Sequence, residues 1–216
     1  MLVAGGSGRR MGGDLPKQFI EIAGKPLLMH TIMRFYHYDP TLKIIVVLPL
    51  RHIETWDRLC ARHRFAVAHR YVPGGGERYF SVKKGLAEVE DNTLIAIHDG
   101  VRPLVSEEVI DNAYRTAAEY GSAIPVVRPP ESLRRQDDTK SIPVDRSHYM
   151  LVQTPQVFKT GLLKKAYEIP YRKTFTDDAT VFEAAGHTVE LIDGNAENIK
   201  ITRPADLRFA ECLLGK

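Results

Sequence analysis

Three uninterrupted apolar segments constrain the fold of this chain most strongly. They are KIIVVLP at residues 43–49, TLIAIHDG at 93–100 and SAIPVVRP at 122–129, and each contains β-branched residues. Such segments are typical of strands buried on both faces of a parallel sheet. Segments with helical periodicity lie between them. The sequence therefore predicts an α/β fold, with a mostly parallel sheet and helices on both faces.

The helices between these strands have recognisable ends. Pro26 suits the first turn of a helix that carries apolar residues from Leu27 to Phe35 along one side. Ser106 is a predicted N-cap, and Gly121 is the matching stop. Further elements are predicted as helices over 53–63, from a Thr176 cap to Gly186 and from Pro204 onward, and as strands at Val3, 188–194 and 198–202.

The alternation of strands and helices is interrupted at residues 129–156. This segment is polar and charged, with a short strand-like end at YMLVQT, and it is too long for an ordinary loop in a compact domain. We interpret it as a protruding β-arm that serves a partner subunit. The sequence predicts one domain over residues 1–216 that includes this arm, without repeats or a flexible linker.

Composition excludes several classes of function. No apolar run among the 216 residues approaches the roughly 20 needed to span a bilayer, and the chain does not begin with a signal-peptide pattern. The net charge of +3 and the lack of a basic stripe argue against nucleic acid as a partner. Cys60 and Cys212 have no metal-ligand spacing, so we expect a reduced, cytoplasmic protein.

The opening stretch AGGSGRRMGGDLPKQF combines glycines with cations. Its spacing fits neither a P-loop nor a dinucleotide fingerprint, because Met11 stands where the latter needs glycine or alanine. Glycines allow the backbone to approach a ligand, and Arg9, Arg10 and Lys17 would compensate the charge of a triphosphate. We favour a phosphate cradle over a tight turn with solvated charges.

Two further segments lie where strands end. YVPGGGERYFSV (71–82) is a second glycine cluster that carries Arg78 and Ser81, and HDGVRP (98–103) carries Asp99 and Arg102. Glycine turns at the ends of parallel strands flank the crevice in which open α/β sheets bind ligands. A tight turn and a local Asp–Arg ion pair are the alternatives. We expect His98 to be a packed, hydrogen-bonded histidine.

The second half of the chain supplies weaker candidates. Arg146 and Thr154 are predicted at the two ends of the arm's last strand, and TDDA (176–179) is either a helix cap or part of a site. Lys200 lies in the middle of a predicted strand. A lysine is unusual at such a position, which indicates a functional role. No zinc-binding or acyl-transfer motif is present in the sequence.

Taken in order, these segments resemble the 2-C-methyl-D-erythritol 4-phosphate cytidylyltransferases of the non-mevalonate isoprenoid route. The resemblance extends from residue 3 to about 210 and is carried by AGGSGRRMG…PKQ, GGGERYFSV, HDGVRP, VDR…QTPQ, TDDA and NIKITRPADL. It implies a Rossmann-like three-layer nucleotidyltransferase fold with a protruding β-arm. It also implies Mg²⁺-dependent transfer of CMP from CTP to a polyol phosphate, with release of pyrophosphate, by a homodimer with shared sites.

The same resemblance implies roles for individual residues, transferred position by position. The catalytic residues would be Arg10, Lys17 and Lys200. The nucleotide would be held by Ala4, Gly5, Gly6, Gly8, Gly75, Gly76, Ser81 and Asp99. The acceptor would be held by Asp99, Arg102, Ser132, Arg146, Thr154 and Thr176, with Ser132, Arg146 and Thr154 reaching the partner's substrate. Mg²⁺ would be bound mainly through nucleotide phosphates.

The chain departs from the family pattern at a few positions. Gly76 replaces an acidic residue that is common in that loop, so we expect only backbone contacts there. Ser132 replaces a common threonine and keeps the hydroxyl. Family members usually have several more residues before the first strand, so we expect that strand to be short. Three alternatives stay open: a sister enzyme that uses ribitol 5-phosphate, an inactive nucleotide-binding subunit, and a nucleotidylyltransferase for another base.

Overall fold

The structure is a computed structural model that describes residues 1–6 and 15–215. Its strands are β1 (Leu2–Val3), β2 (Glu21–Ile22), β3 (Lys25–Pro26), β4 (Ile45–Leu48), β5 (Arg70–Pro73), β6 (Leu94–Asp99), β7 (Ser122–Val127), β8 (Leu133–Gln136), β9 (Ser141–Val144), β10 (Leu151–Val152), β11 (Gln156–Lys159) and β12 (Leu191–Asp193). Its α-helices are α1 (Leu27–Tyr38), α2 (Ile53–Arg62), α3 (Arg78–Leu86), α4 (Glu107–Tyr120), α5 (Thr160–Ala166), α6 (Asp178–Ala184) and α7 (Pro204–Leu214).

One mixed sheet dominates the described part of the chain. Its strand order is β10-β7-β11-β6-β1-β4-β5, and β12 pairs with β7. Strands β6, β1, β4 and β5 are mutually parallel, and β11 is inserted antiparallel between β6 and β7. The predicted α/β class and mostly parallel sheet are therefore confirmed. The three apolar segments supply β4, β6 and β7, whose residues are almost all buried.

Apolar cores on the two faces of the sheet complete a three-layer arrangement. One core joins α1, α2 and α4 to the sheet through residues such as Ile32, Trp56 and Ile110. The other joins α3, α5 and α6 through residues such as Val82 and Phe182. A small third cluster packs α7 against the β2–β3 hairpin and the loop after β6. The contact between α7 and the β2–β3 hairpin brings the C-terminal helix next to residues 21–26.

Several predicted helix ends are confirmed and others are wrong. The Ser106 side chain accepts a hydrogen bond from the Val109 backbone, and Gly121 ends α4 with a left-handed φ of 99°. Pro26 precedes α1 as its cap and does not occupy the first turn. The N-cap of α6 is Asp177, not Thr176, because the Asp177 carboxylate accepts from the Thr180 backbone.

Two strand predictions also need correction. Residues 198–202 form an extended segment outside any strand. The Asn198 and Ile199 amides bond locally, to the Asn195 and Glu197 carbonyls, and among the described residues only the Ile201 amide reaches the backbone of another segment, at Val101. The arm's last strand is limited to β10, and Arg146 lies in a separate 3-10 turn before it. The arm itself exists as the β8–β9 hairpin, a two-stranded sheet of its own with mostly exposed residues. The extent of the single domain stays a prediction.

No helix in the described ranges is long and apolar enough to cross a membrane.

Candidate active site

A cavity of about 270 Å³ lies at the carboxyl ends of the parallel strands. Ala4 follows β1, the second glycine turn follows β5, and Asp99 ends β6, so one edge of the sheet delivers all three to the cavity. This edge is where open α/β sheets bind ligands. Of the residues predicted from the sequence, the cavity is lined by Ala4, Gly5, Gly6, Lys17, Gly75, Gly76, Ser81, Asp99 and Lys200. Predicted residues Gly8 and Arg10, with the neighbouring Arg9, lie outside the described residues.

The second glycine turn is held by the hydroxyl of Ser81. This hydroxyl accepts a hydrogen bond from the Gly75 amide at 3.0 Å and donates to the Glu77 carbonyl at 3.1 Å. A Cβ on Gly75 would lie 2.5 Å from the Cβ of Phe80, whereas a Cβ on Gly76 would meet nothing within 4 Å. Gly75 is therefore required for close packing of the turn on α3. The hydroxyl of Ser81 is occupied in shaping this wall of the cavity.

Lys17 is fixed by the residues that follow it. It begins a single 3-10 turn, Lys17–Phe19, in which the Phe19 ring is fully buried and stacks on Trp56. The Gln18 side chain donates to the Ala4 carbonyl at 2.8 Å, which ties the turn to the end of β1. Lys17 is 9 % exposed, and its Nζ donates to the Ile201 carbonyl at 3.2 Å. The first and last motifs of the chain thus meet at this lysine.

Asp99 is the centre of charge in the site. Lys200 Nζ lies 3.1 Å and Arg102 Nε 3.2 Å from the same carboxylate oxygen. Burial alone would raise the pKa of this carboxyl group, but the positive charges of Lys200, Arg78 and Arg102 outweigh burial and hold the pKa well below its ordinary value. Asp99 is therefore ionised at neutral pH, and it holds Lys200 and Arg102 side by side.

His98 is a packed, hydrogen-bonded histidine that helps to position Asp99 through Thr154. Its Nε2 lies 2.9 Å from the Arg102 carbonyl, which can only accept, so Nε2 carries the proton. Thr154 then donates its hydroxyl hydrogen to Nδ1 at 3.0 Å, and the Thr154 oxygen accepts from the Asp99 amide at 3.1 Å. Burial lowers the pKa of His98 to about 4, which keeps the imidazole neutral.

A second cavity, of about 140 Å³, adjoins the first. It contains the predicted acceptor residues Arg102, Thr154 and Thr176, and it shares Arg78, Asp99 and Lys200 with the first cavity. A ligand in one cavity would therefore meet a ligand in the other at these three side chains. Such an arrangement suits the transfer of a group between two bound molecules.

Three residues predicted to reach a partner's substrate have different positions. Ser132 and Arg146 are exposed on the arm, and neither lines the two cavities. The Arg146 guanidinium donates to the Pro130 carbonyl of the same arm. Thr154, in contrast, is 5 % exposed, and its hydroxyl is occupied by His98 and Asp99 within its own chain. The expectation that Thr154 extends from the arm is therefore wrong.

Sequence reasoning assigned no role to several residues of the site. Arg78 lines both cavities and is paired with Asp178 at 2.6 Å. The Asn198 side chain donates to the Thr154 carbonyl at 2.8 Å, and its own backbone carbonyl accepts from Arg102 at 2.6 Å. Arg78 lies in the second glycine-rich motif and Asp178 in TDDA, so each belongs to a segment that the sequence already indicates as a possible part of a site. Their pairing across 100 positions had no local indication.

The three-layer fold and the paired cavities define a nucleotidyltransferase. A glycine-lined cavity at the end of a parallel sheet, with lysines beside it, suits a nucleoside triphosphate, and the adjoining cavity suits an acceptor.

Comparison with known proteins identifies the family. Residues 1–216 match the family model described as "IspD: 2-C-methyl-D-erythritol 4-phosphate cytidylyltransferase", and the chain belongs to this family. A relative of that name from Bacteroides thetaiotaomicron is 51% identical over 214 residues, which cover 99% of this chain and 98% of the relative.

Solved structures support the same assignment. The 2-C-methyl-D-erythritol 4-phosphate cytidylyltransferase of Thermus thermophilus is similar with a TM-score of 0.79 and 30% identity, over 98% of this chain and 96% of that one. The 4-diphosphocytidyl-2C-methyl-D-erythritol synthase of Anaerococcus prevotii is similar with a TM-score of 0.83 and 26% identity, over 100% of this chain and 94% of that one.

The buried, neutral His98 predicts how stability changes with pH. Because its pKa is lowered in the folded state, the unfolded chain binds the extra proton between about pH 6.5 and pH 4, and stability is lost as the pH falls through that window. We expect His98 to account for about 2 kcal/mol of the loss in unfolding free energy between pH 7 and pH 5. Denaturant unfolding at the two pH values measures this loss.

The His98→Asn variant tests the assignment, because it removes this titration. Its loss between the two pH values is expected to be smaller than that of wild type by the same amount. The matched control is His148→Gln, since His148 is exposed on the arm and 81% of its side chain is accessible. An equal pH dependence in wild type and His98→Asn would contradict the account.

Proposed function

We propose that this chain transfers CMP from CTP to 2-C-methyl-D-erythritol 4-phosphate and releases pyrophosphate, a step in isoprenoid precursor synthesis. Membership of the family supports the substrates, as do the names of its relatives. The observation that carries the proposal is the pair of adjoining cavities that share Arg78, Asp99 and Lys200. CTP would occupy the glycine-lined cavity, and the phosphate of the acceptor would enter the smaller one.

The chemistry suits a site that positions charges. A phosphate monoester has a second pKa near 6, so the acceptor is mostly a dianion at neutral pH and attacks without a general base. One of its oxygens forms a bond to the α-phosphorus of CTP. The bond from that phosphorus to the bridging oxygen breaks, and its electron pair leaves with pyrophosphate. Accordingly, none of the described residues lining the two cavities is a histidine.

The lysines would stabilise the charge that develops on the α-phosphoryl oxygens. Lys17 and Lys200 both line the CTP cavity, from opposite ends of the sequence. Each is held in place before any ligand binds, Lys17 by the Ile201 carbonyl and Lys200 by Asp99. Preorganised donors of this kind contribute the largest share of catalysis in many enzymes. Arg102 would orient the acceptor phosphate, since it lines the smaller cavity while paired with Asp99.

We also propose that Mg²⁺ is bound with the nucleotide. Among the described residues, no group of three or more His, Cys, Asp or Glu side chains is arranged to hold a metal ion. Asp99 offers a single carboxylate, and Lys200 and Arg102 both contact one of its two oxygens. This donor set fits a hard cation held mainly by phosphate oxygens and water, as Mg²⁺ prefers. When bound, Mg²⁺ supplies neutralisation of the triphosphate charge.

A homodimer with shared sites is the proposed assembly. The arm carries the exposed apolar side chains Ile142, Tyr149, Met150 and Leu151, which a partner subunit would cover. Ser132 and Arg146 of the arm lie outside the cavities of their own chain. Both residues would complete the acceptor site of the partner.

Cys60 and Cys212 are free thiols, which supports a reducing compartment such as the cytoplasm.

A pyrophosphate-release assay tests the activity and the role of Lys17 together. The wild-type protein should release pyrophosphate with CTP, Mg²⁺ and 2-C-methyl-D-erythritol 4-phosphate, faster than with ribitol 5-phosphate or with UTP, GTP or ATP. The Lys17→Ala variant should lose on the order of 10²-fold or more in kcat, because it lacks one preorganised donor.

Lys43→Ala is the matched control, because Lys43 is an exposed lysine that forms a surface salt bridge of 3.4 Å with Glu90. It should keep wild-type turnover. A folded Lys17→Ala enzyme with near-normal turnover would remove Lys17 from the mechanism. A wild-type protein that releases no pyrophosphate with CTP and either acceptor would overturn the function itself.

Mixed dimers test the shared sites. Lys17→Ala and Arg146→Ala chains are co-expressed with different tags, and the heterodimer is isolated through both tags. If Arg146 acts across the interface, one of the two sites in the heterodimer is intact, and activity should recover to about half that of wild type. Each homodimeric variant alone should remain nearly inactive.

Two results would contradict this assembly. A heterodimer as inactive as its parents would show that Lys17 and Arg146 serve the same chain. Failure to isolate any species that carries both tags, together with a monomeric mass by light scattering, would remove the dimer.

A further inference from the structure

Arg78 lies between the two cavities of the site. It is the first residue of α3, directly after the glycine turn, and its side chain is 25% exposed. It lines the CTP cavity and the acceptor cavity, as Asp99 and Lys200 also do. If the two substrates meet where the cavities join, the transferred phosphoryl group passes next to these three side chains.

A fully buried carboxylate determines the direction of this arginine. Arg78 Nη2 lies 2.6 Å from one oxygen of Asp178, whose side chain is 0% exposed. The other oxygen of Asp178 accepts from the Tyr167 hydroxyl, also at 2.6 Å. The Gln156 side-chain carbonyl accepts from the Asp178 amide at 3.1 Å and fixes the start of α6. The carboxylate therefore has a single orientation, which it imposes on Arg78.

The guanidinium has donors to spare. It carries five N–H donors, and Nη2 is the nitrogen hydrogen-bonded within the described part of the chain. Burial opposes its charge, but the ion pair with Asp178 outweighs burial and raises the pKa of Arg78, so it stays charged. A planar, permanently charged group with unused donors at the wall of a phosphate cavity matches the geometry of phosphoryl oxygens.

Stability alone does not account for this pair. Removing two charges from water is costly, and a well-packed apolar pair of similar size is often as stable or more so. The Asp178 end of this pair is fully buried and hydrogen-bonded by Tyr167, whereas the Arg78 end lines two cavities. An ion pair that is buried at one end and opens into two cavities at the other is better explained by a ligand.

We propose that Arg78 is a further catalytic residue, which donates to one non-bridging oxygen of the α-phosphoryl group during transfer, and that Asp178 is its positioning residue. The inference rests on the proposed cytidylyl transfer. Arg78 forms and breaks no bond itself. It balances the charge that develops while the acceptor oxygen bonds to the α-phosphorus and pyrophosphate departs.

The first test is Arg78→Gln, with kcat and KM measured for CTP and for 2-C-methyl-D-erythritol 4-phosphate. We expect kcat to fall on the order of 10²-fold, because a transition-state contact is lost. Arg115→Gln is the matched control. Arg115 pairs with Asp111 at the same distance of 2.6 Å, but its side chain is 74% exposed on α4 and remote from both cavities. Its turnover should equal that of wild type.

A second readout distinguishes contact from structural support. The two diastereomers of CTP with sulfur at the α-phosphorus replace one non-bridging oxygen or the other. Wild type and Arg115→Gln should share one preference between them. In Arg78→Gln the ratio of the two kcat/KM values should change several-fold, because neither non-bridging oxygen is then contacted by an arginine at this position. A general loosening of the site lowers both values and leaves the ratio unchanged.

Asp178→Asn tests the positioning role. It keeps an acceptor for Tyr167 and removes the charge that holds Arg78. We expect a smaller loss of kcat than in Arg78→Gln. The double variant should be no slower than Arg78→Gln alone, because both changes remove the same interaction. Additive losses in the double variant would overturn the link between the two residues.

Several outcomes overturn the inference while leaving the proposed function intact. A folded Arg78→Gln enzyme with kcat within threefold of wild type is one, and a raised KM with unchanged kcat is another. If Arg78→Gln does not fold, Arg78→Lys keeps the charge but not the planar fork, and it should still lose about tenfold in kcat with a changed thio preference. Wild-type turnover in Arg78→Lys, with an unchanged preference, would overturn it equally. Failure of wild type itself to release pyrophosphate would instead overturn the proposed function.

Discussion

The carboxylate of Asp99 organises this site, because it is buried and must be compensated. Lys200 and Arg102 approach the same oxygen at 3.1 and 3.2 Å, and together with Arg78 they keep the carboxylate ionised. Without that negative charge, the cations would repel one another across a few ångströms. With the Asp99 charge present, the cations stay close together at the cavity wall, in position to contact phosphates. The surrounding structure serves this arrangement, since His98 and Thr154 hold the Asp99 backbone from within the sheet.

The site also depends on contacts between distant parts of the chain. The extended segment 198–202 is attached to the loop after β6 through the Ile201 amide, and its carbonyl receives Lys17 from the start of the chain. Arg78 and Asp178 connect α3 to α6 across 100 positions. The lysines and arginines that would contact the substrates thus come from distant segments. Each segment is anchored by a buried partner, which fixes the charges in space before a ligand arrives.

Much of this could be predicted from the sequence, and the remainder could not, for physical reasons. Buried parallel strands have a strong local signature, so β4, β6 and β7 were predicted, as was the Ser106 cap of α4. Residues 198–202 are predicted as a strand, yet they pair with no strand in the described part of the chain, because tertiary contacts decide whether an extended segment joins a sheet. The Arg78–Asp178 pair and the occupied hydroxyl of Thr154 are long-range contacts, which leave no periodic trace in the sequence.

If the site works as proposed, the two cavities meet where the phosphoryl group is transferred. A crystal structure with 2-C-methyl-D-erythritol 4-phosphate, Mg²⁺ and a non-reactive CTP analogue tests this geometry. We expect the cytosine to lie against the Gly75–Gly76 turn and the acceptor phosphate beside Arg102. We also expect the α-phosphate at the junction, with an oxygen about 2.7–3.2 Å from Lys200 Nζ. A nucleotide bound with its α-phosphate remote from Asp99 and Lys200 would refute this arrangement.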